Sequence, residues 1–279
     1  MKKLIVLGAA LAMFASCGNT PKAPQEEEAP AVLRFSTFSD HYFSVMRQDS
    51  VSLAEAIARV KAVGIEGIDA RTSLTPEQMA TFDSLGIQHA SAILDVSRSK
   101  ESIPELEDAA IKFCKDYKFD RLMYCPRLLP EDASAEYVDS VMGGLKAFAQ
   151  KTIAAGIDLV FEDYDNPQSV TCNMAALDKI FEAVPEANHA YDSGNFYFMG
   201  DDPMEAFNHF RSRITHVHLK DRNAVGDRES PALGTGKVPC RQIIDELLNS
   251  GYKGWFTIEG YGAKNMIEQL RVSVENMKK

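Results

Sequence analysis

Four side chains with metal-ligand chemistry stand at the ends of four successive β-like segments in the second half of the chain. Glu162 closes Leu159-Val160-Phe161-Glu162, and Asp192 closes Ala190-Tyr191-Asp192. His218 lies in Thr215-His216-Val217-His218-Leu219, and Glu259 ends Phe256-Thr257-Ile258-Glu259. Alone, a strand-end Glu is more often a solvated carboxylate and a single His more often structural. Agreement in position and type across four segments carries much more weight. Three carboxylates and one imidazole suit one hard or borderline divalent ion, Mn²⁺, Mg²⁺ or Co²⁺, with Zn²⁺ also compatible. Against such an ion the carboxylates leave one surplus negative charge, which Lys220 could offset. Strand alternation puts His216, His218 and Lys220 on one face. Because a two-residue step rises roughly 6.6 Å, only one of the histidines can sit level with the ion. His218 is nearer the strand end, and His216 is expected a layer below.

These residues need a scaffold that gathers strand ends. Eight strand candidates run at Leu33–Thr37, Gly67–Ala70, Ile87–Leu94, Arg121–Cys125, Ile157–Glu162, His189–Asp192, Ile214–Leu219 and Trp255–Glu259. Helical periodicity fills the intervals. Ser52 with Glu55 reads as a helix cap, and Thr75-Pro76-Glu77 places proline just inside a helix start. Val63-Gly64-Ile65, Leu85-Gly86-Ile87, Ala155-Gly156-Ile157 and Ser250-Gly251-Tyr252 each put glycine where a helix ends, a position that favours positive φ. Strand, helix, glycine, strand predicts a parallel α/β fold. Eight such units predict a single-domain (β/α)8 TIM barrel, whose site lies at the C-terminal ends of the strands. No Gly-rich nucleotide-binding motif follows the first strand.

The 279 residues carry a formal net charge of −10, which argues against a nucleic-acid partner. Lys2 and Lys3 precede a short apolar run, Leu4 to Ala15, and then Ser16-Cys17. This looks like a bacterial lipoprotein signal, with Cys17 the lipidated residue. Residues 18–31, rich in Pro and Glu, read as a flexible tether, leaving 32–279 for the catalytic domain. The expectation is a lipid-anchored protein outside the cytoplasm, facing the periplasm rather than the cell surface, with a homo-oligomer left open. The remaining cysteines, Cys114, Cys125, Cys172 and Cys240, contain no C-x-x-C pair and read as core or surface thiols.

Val160-Phe161-Glu162-Asp163, Tyr191-Asp192-Ser193-Gly194-Asn195, His216-Val217-His218-Leu219-Lys220-Asp221 and Gly234-Thr235-Gly236, with Gly251-Tyr252-Lys253-Gly254 and Ile258-Glu259, resemble the xylose isomerase-like TIM-barrel superfamily. This is the group of sugar isomerases and epimerases related to endonuclease IV. The resemblance implies that Glu162, Asp192, His218 and Glu259 bind one metal, and that the two glutamates act as acid and base. Asn195 stands where tagatose- or psicose-type epimerases carry His, and Leu219-Lys220-Asp221 is more similar to the branch with inositol-pathway dehydratases. Asp227-Arg228-Glu229 lacks the Asp-x-His of the endonuclease branch.

Lys220, Asn195, Arg222, His89 and Asp69 (the last beside Arg71) are the candidates for substrate contact. Phe196, Tyr197, Phe198 and Met199 could wall a sugar ring or pack in the core. The reading that follows is a metal-dependent isomerase or epimerase enolising an unphosphorylated sugar or polyol, with a small carbohydrate as its partner. The alternatives are a lyase or dehydratase on a keto-sugar or keto-glycoside, and a non-catalytic sugar-binding lipoprotein.

Overall fold

The computed structural model describes residues 32–279 apart from Glu101; the expected signal peptide, Cys17 and the tether lie outside the described residues. Eight parallel strands close into a barrel in sequence order. They are β1 (Phe35–Phe38), β2 (Ile65–Arg71), β3 (Gln88–Asp95), β4 (Arg121–Cys125), β5 (Asp158–Glu162), β6 (Asn188–Asp192), β7 (Ile214–Leu219) and β8 (Phe256–Ile258). β1 pairs with β8 to complete the ring, Ser36 opposite Thr257.

Helices fill every connection. β1 is followed by α1 (Ser39–Asp49) and α2 (Leu53–Ala62), then come α3 (Pro76–Ser84), α4 (Ile103–Tyr117), α5 (Ala135–Ala154) and α6 (Met174–Ala183). β6 is followed by α7 (Ser193–Met199) and α8 (Pro203–Phe210), and the chain ends with α9 (Cys240–Asn249) and α10 (Met266–Met277). Local chemistry accounts for the boundaries. The Ser52 hydroxyl accepts from the Glu55 N–H, and Thr75 and Gln78 make a reciprocal capping box ahead of Pro76. Gly64, Gly86, Gly156 and Gly251 all adopt positive φ, as their places after helices require. Strand β8 is shorter than its sequence suggests. Glu259 lies one residue beyond it, although its N–H still reaches the Leu219 carbonyl at 2.9 Å.

Alternation splits the side chains of the strands between two environments. Outward residues such as Leu122, Tyr124, Leu159, Phe161, Val217 and Ile258 join the shell packed against the helices. The inward side is divided. Phe38, Ile93, Met123, Cys125, Val160 and Ala190 form a separate apolar cluster. Across from them, Ser36, Asp69, His216 and Thr257 are fully buried and bonded to one another. Barrel interiors are usually filled with branched aliphatic side chains; here half is replaced by hydrogen-bonded polar groups. Trp255 is core, as expected, and carries the Arg34 guanidinium over its ring.

Candidate functional site

A cavity of about 700 Å³ opens at the C-terminal ends of the strands, within the usual range for small-molecule sites. Glu162, Lys220 and Glu259 line its floor, with Asn195, Arg222, Arg71 and His41 around them. Glu162, Asp192, His218 and Glu259 each turn one ligand-type atom toward a common point, and these atoms lie within 4.8 Å of one another.

Each ligand candidate is held by its own element. Asp192 ends β6 and caps α7: its Oδ1 accepts from the N–H groups of Gly194 and Asn195 at 2.7 and 2.9 Å. That fixes the carboxylate and leaves Oδ2 facing the site without a hydrogen bond, 3.1 Å from the Lys220 ammonium. Glu259 gives Oε1 to Lys220 at 2.8 Å, and its buried Oε2 has no hydrogen-bond partner. His218 Nδ1 is 2.6 Å from Glu162 Oε1. Glu162 Oε2 meets only the weak Cys125 thiol donor, at 3.6 Å. Two unsatisfied buried carboxylate oxygens, facing an imidazole and a third carboxylate, fit a divalent cation.

The electrostatics describe a site crowded with charge. Burial alone would lower the pKa of His218, yet Glu162 and Asp69 outweigh it and hold the imidazole well above its ordinary value. Burial also works against the Lys220 charge, and the carboxylates of Asp192 and Glu259 more than restore it. Glu259 is pushed up to about 8, mainly by burial, against the pull of Lys220. Asp163, beneath Asp192, is raised well above the carboxylate range by burial and by the Asp192 charge. Its Oδ1 accepts from the Asp192 N–H at 2.7 Å.

Three of the substrate candidates meet at the cavity. Asn195 Oδ1 accepts from Lys220 Nζ at 2.8 Å, and its Nδ2 donates to the Asp163 carbonyl at 2.6 Å. Arg222 is 1% exposed; it binds Asp165 at 2.8 Å and the carbonyls of Asp227 and Arg228. It therefore braces the wall. Two candidates are placed elsewhere. His89 is the second residue of β3, at the opposite end of that strand from the mouth. Its ring bonds the Tyr117 carbonyl and Asp83 and stacks on Phe119. Asp69 points inward but below the mouth, with all its acceptor capacity taken by Ser36, Thr257, His216 and His218. Neither can reach a substrate. Phe196 is core, and Phe198 lies under the Arg222 and Arg228 guanidinium groups. The four cysteines among the described residues are free thiols, Cys172 half-buried and the others buried.

Of the other residues at the mouth, His41 and Tyr261 escaped the sequence reading, whereas Arg71 was noted beside Asp69. His41, on the first turn beyond β1, accepts from the Gly260 N–H at 2.8 Å and so holds the segment that carries Glu259. Arg71 bonds Asp40 at 2.6 Å and Asp95 at 3.3 Å on the cavity wall. Tyr261 is 62% exposed at the rim. Position after strands one and eight was the available signal for His41 and Tyr261.

Inosose dehydratase from Geobacillus thermodenitrificans is 25% identical to the chain over 139 residues, 43% of this chain and 46% of that one. The match thus spans about half of that relative. Inosose dehydratase from Geobacillus kaustophilus is 25% identical over 220 residues, 66% and 71% of the two chains. Among solved structures, the probable 3-DHS dehydratase AsbF of Bacillus anthracis superposes with a TM-score of 0.73 at 14% identity, covering 88% of this chain and 99% of that one. The D-allulose 3-epimerase of Methylomonas sp. gives 0.68 at 16% identity, covering 89% and 97%. At such identities these two share the fold. The family described as "Xylose isomerase-like TIM barrel" matches residues 57–279, and with four strand-end ligand candidates converging in a closed eight-stranded barrel, the chain belongs to that family.

Proposed function

We propose that the protein is a divalent-metal-dependent enzyme that removes the proton next to a carbonyl of an unphosphorylated sugar or polyol, with isomerisation or epimerisation as the outcome. The observation that carries this is the convergence of Glu162, Asp192, His218 and Glu259, with Glu162 and Glu259 three strands apart around the ring. Bound there, a divalent ion supplies Lewis-acid polarisation of the substrate oxygens. The chain's own groups do the rest. Glu162, whose Oε2 meets only a thiol, is placed to take up the carbon-bound proton. Glu259, whose Oε2 has no hydrogen-bond partner, faces the cavity from its own side to exchange the proton there. Lys220 keeps Asp192 and Glu259 oriented and Asn195 keeps Lys220 in place.

A second reading, dehydration of a keto-sugar or keto-glycoside, is favoured by the inosose dehydratases among the relatives and by the Lys220 ammonium beside Glu259, a positive charge that would steady a departing hydroxyl. A keto-sugar panel assayed with Mn²⁺ in deuterated water separates them. Deuterium in a recovered or epimeric ketose supports the first, and an ultraviolet-absorbing enone supports the second. Tight sugar binding without exchange or turnover would mean a binding protein and defeat both.

We also propose that the chain is anchored through a lipid on Cys17 and works outside the cytoplasm, from the basic start, apolar run and Ser16-Cys17. Cys17→Ser should lose membrane fractionation or remain unprocessed; unchanged fractionation and mass would reject this.

A further inference from the structure

The polar half of the barrel interior ends at the metal candidates, and Asp69 is its centre. The carboxylate is fully buried. Oδ1 accepts from Ser36 Oγ at 3.1 Å and Thr257 Oγ1 at 2.9 Å. Oδ2 faces two imidazole nitrogens, His216 Nε2 at 2.6 Å and His218 Nε2 at 3.2 Å. An ionised carboxylate only accepts hydrogen bonds. Four partners converge on its two oxygens, so Asp69 is the acceptor to both rings and their facing protons sit on Nε2. For His216 this leaves Nδ1 as a buried atom without a partner. For His218 it leaves Nδ1, which shares its proton with Glu162 at 2.6 Å, as the atom whose proton a cation can displace.

We propose that Asp69 is a positioning residue that fixes the tautomer and ring orientation of His218, and so sets the affinity of the site for a divalent cation. The proposal rests on the metal reading above. It also reassigns a grouping that could pass for a second cation site: Asp69, His216 and His218 lie close enough together to ligate an ion, but their facing atoms are already joined by shared protons. One equivalent of metal is expected, not two. Partners of this kind, accepting from the far nitrogen of a ligating histidine, typically change metal affinity by roughly 10- to 100-fold when removed.

The test titrates Mn²⁺ into the full-length protein, its Asp69→Asn and Thr257→Val variants, and Glu162→Gln. Thr257→Val removes a donor to Oδ1 and leaves Oδ2 with its histidines. Asp69→Asn should bind Mn²⁺ about 10- to 100-fold more weakly, while Thr257→Val stays within about threefold of wild type. Nitrogen-15 spectra of histidine-labelled wild type loaded with Mg²⁺ or Zn²⁺ need no variant to fold; they should show His218 protonated at Nε2 alone. Wild-type affinity in folded Asp69→Asn, a second bound equivalent, or a His218 proton on Nδ1 in the loaded protein would overturn the proposal alone. If wild type binds no cation, or Glu162→Gln binds as tightly as wild type, the metal site itself falls, and this inference with it.

Discussion

At the scale of single residues, Glu162 and Glu259 carry the heaviest expectation. Replacing either by Gln retains the shape and some ligating capacity but cannot accept a carbon-bound proton. Solvent-deuterium exchange into substrate should fall by about 10²–10⁴-fold with metal content restored; near-wild-type exchange in both variants would take the glutamates out of the chemistry. Lys220 invites a different measurement. Its ammonium is buried and lies 3.1 and 2.8 Å from Asp192 and Glu259. Lys220→Met strands buried carboxylates, a change that costs about 3–5 kcal/mol when a buried pair is broken. A bound cation compensates the same carboxylates. Saturating Mn²⁺ should therefore raise the Tm of Lys220→Met more than that of wild type; equal or smaller gains would show that the lysine does not share charge with the cation. The ligand candidates were legible because each ends a strand and differs in type from its apolar neighbours. His89 was a poor candidate on its own register, because it lies near the start both of the expected strand, Ile87–Leu94, and of β3, away from the mouth. His41 and Asp163 offered only their position after a strand, because what matters in each is one partner far away in sequence, Gly260 for the first and the Asp192 N–H for the second.

Elements hold these residues through backbone contacts that side-chain spacing does not reveal. The loop after β7 is organised by Asp221, whose carboxylate accepts from the N–H groups of Arg222, Gly234, Gly236 and Val238 at 2.8–3.0 Å. The Gly234-Thr235-Gly236 sequence is visible as a motif; its physical reason is this cradle. Gly234 takes a positive φ, and a Cβ on Gly236 would overlap the Asp221 carboxylate and the Arg222 carbonyl. Asp221→Ala leaves several N–H groups unpaired, at about 1–3 kcal/mol each when they stay buried. Urea unfolding should show a loss on the order of 3 kcal/mol or more. A loss below 1 kcal/mol would mean that water replaces the carboxylate. Gly194 plays the matching part beside β6. An added Cβ would come within 2.7 Å of the Lys220 carbonyl and 2.8 Å of its side chain, so Gly194→Ala should depress turnover through displaced Lys220. The alternation of strands and helices was readable from periodicity. The paired helices after β1 and β6 were not, because their division depends on Ser50 and Gly200 entering left-handed backbone.

For the whole molecule, burial of neutral histidines sets how stability follows pH. His41 is lowered to about 4 and His189 to about 3, burial being the main cause in both. The unfolded chain takes up those protons near the ordinary value of 6.5. Their contribution is thus complete above pH 6.5 and is lost as pH falls toward the folded values. At about 1.4 kcal/mol per unit, His41 alone accounts for roughly 3 kcal/mol by pH 4. His41→Gln, which can still accept from the Gly260 N–H, should flatten the decline of Tm between pH 6.5 and 4; an unchanged slope would assign the acid lability elsewhere. Closure of the ring has a consequence for synthesis. Asp69 meets His216 across 147 residues of chain and Thr257 across 188, and β1 finds its last neighbour 221 residues away. A polypeptide emerging from its N-terminus has no floor for the barrel and no complete set of ligands until Glu259 has appeared. Any cation that the proposed site takes is thus met only by the finished barrel, after the last strand has docked, and not by the first half of the chain.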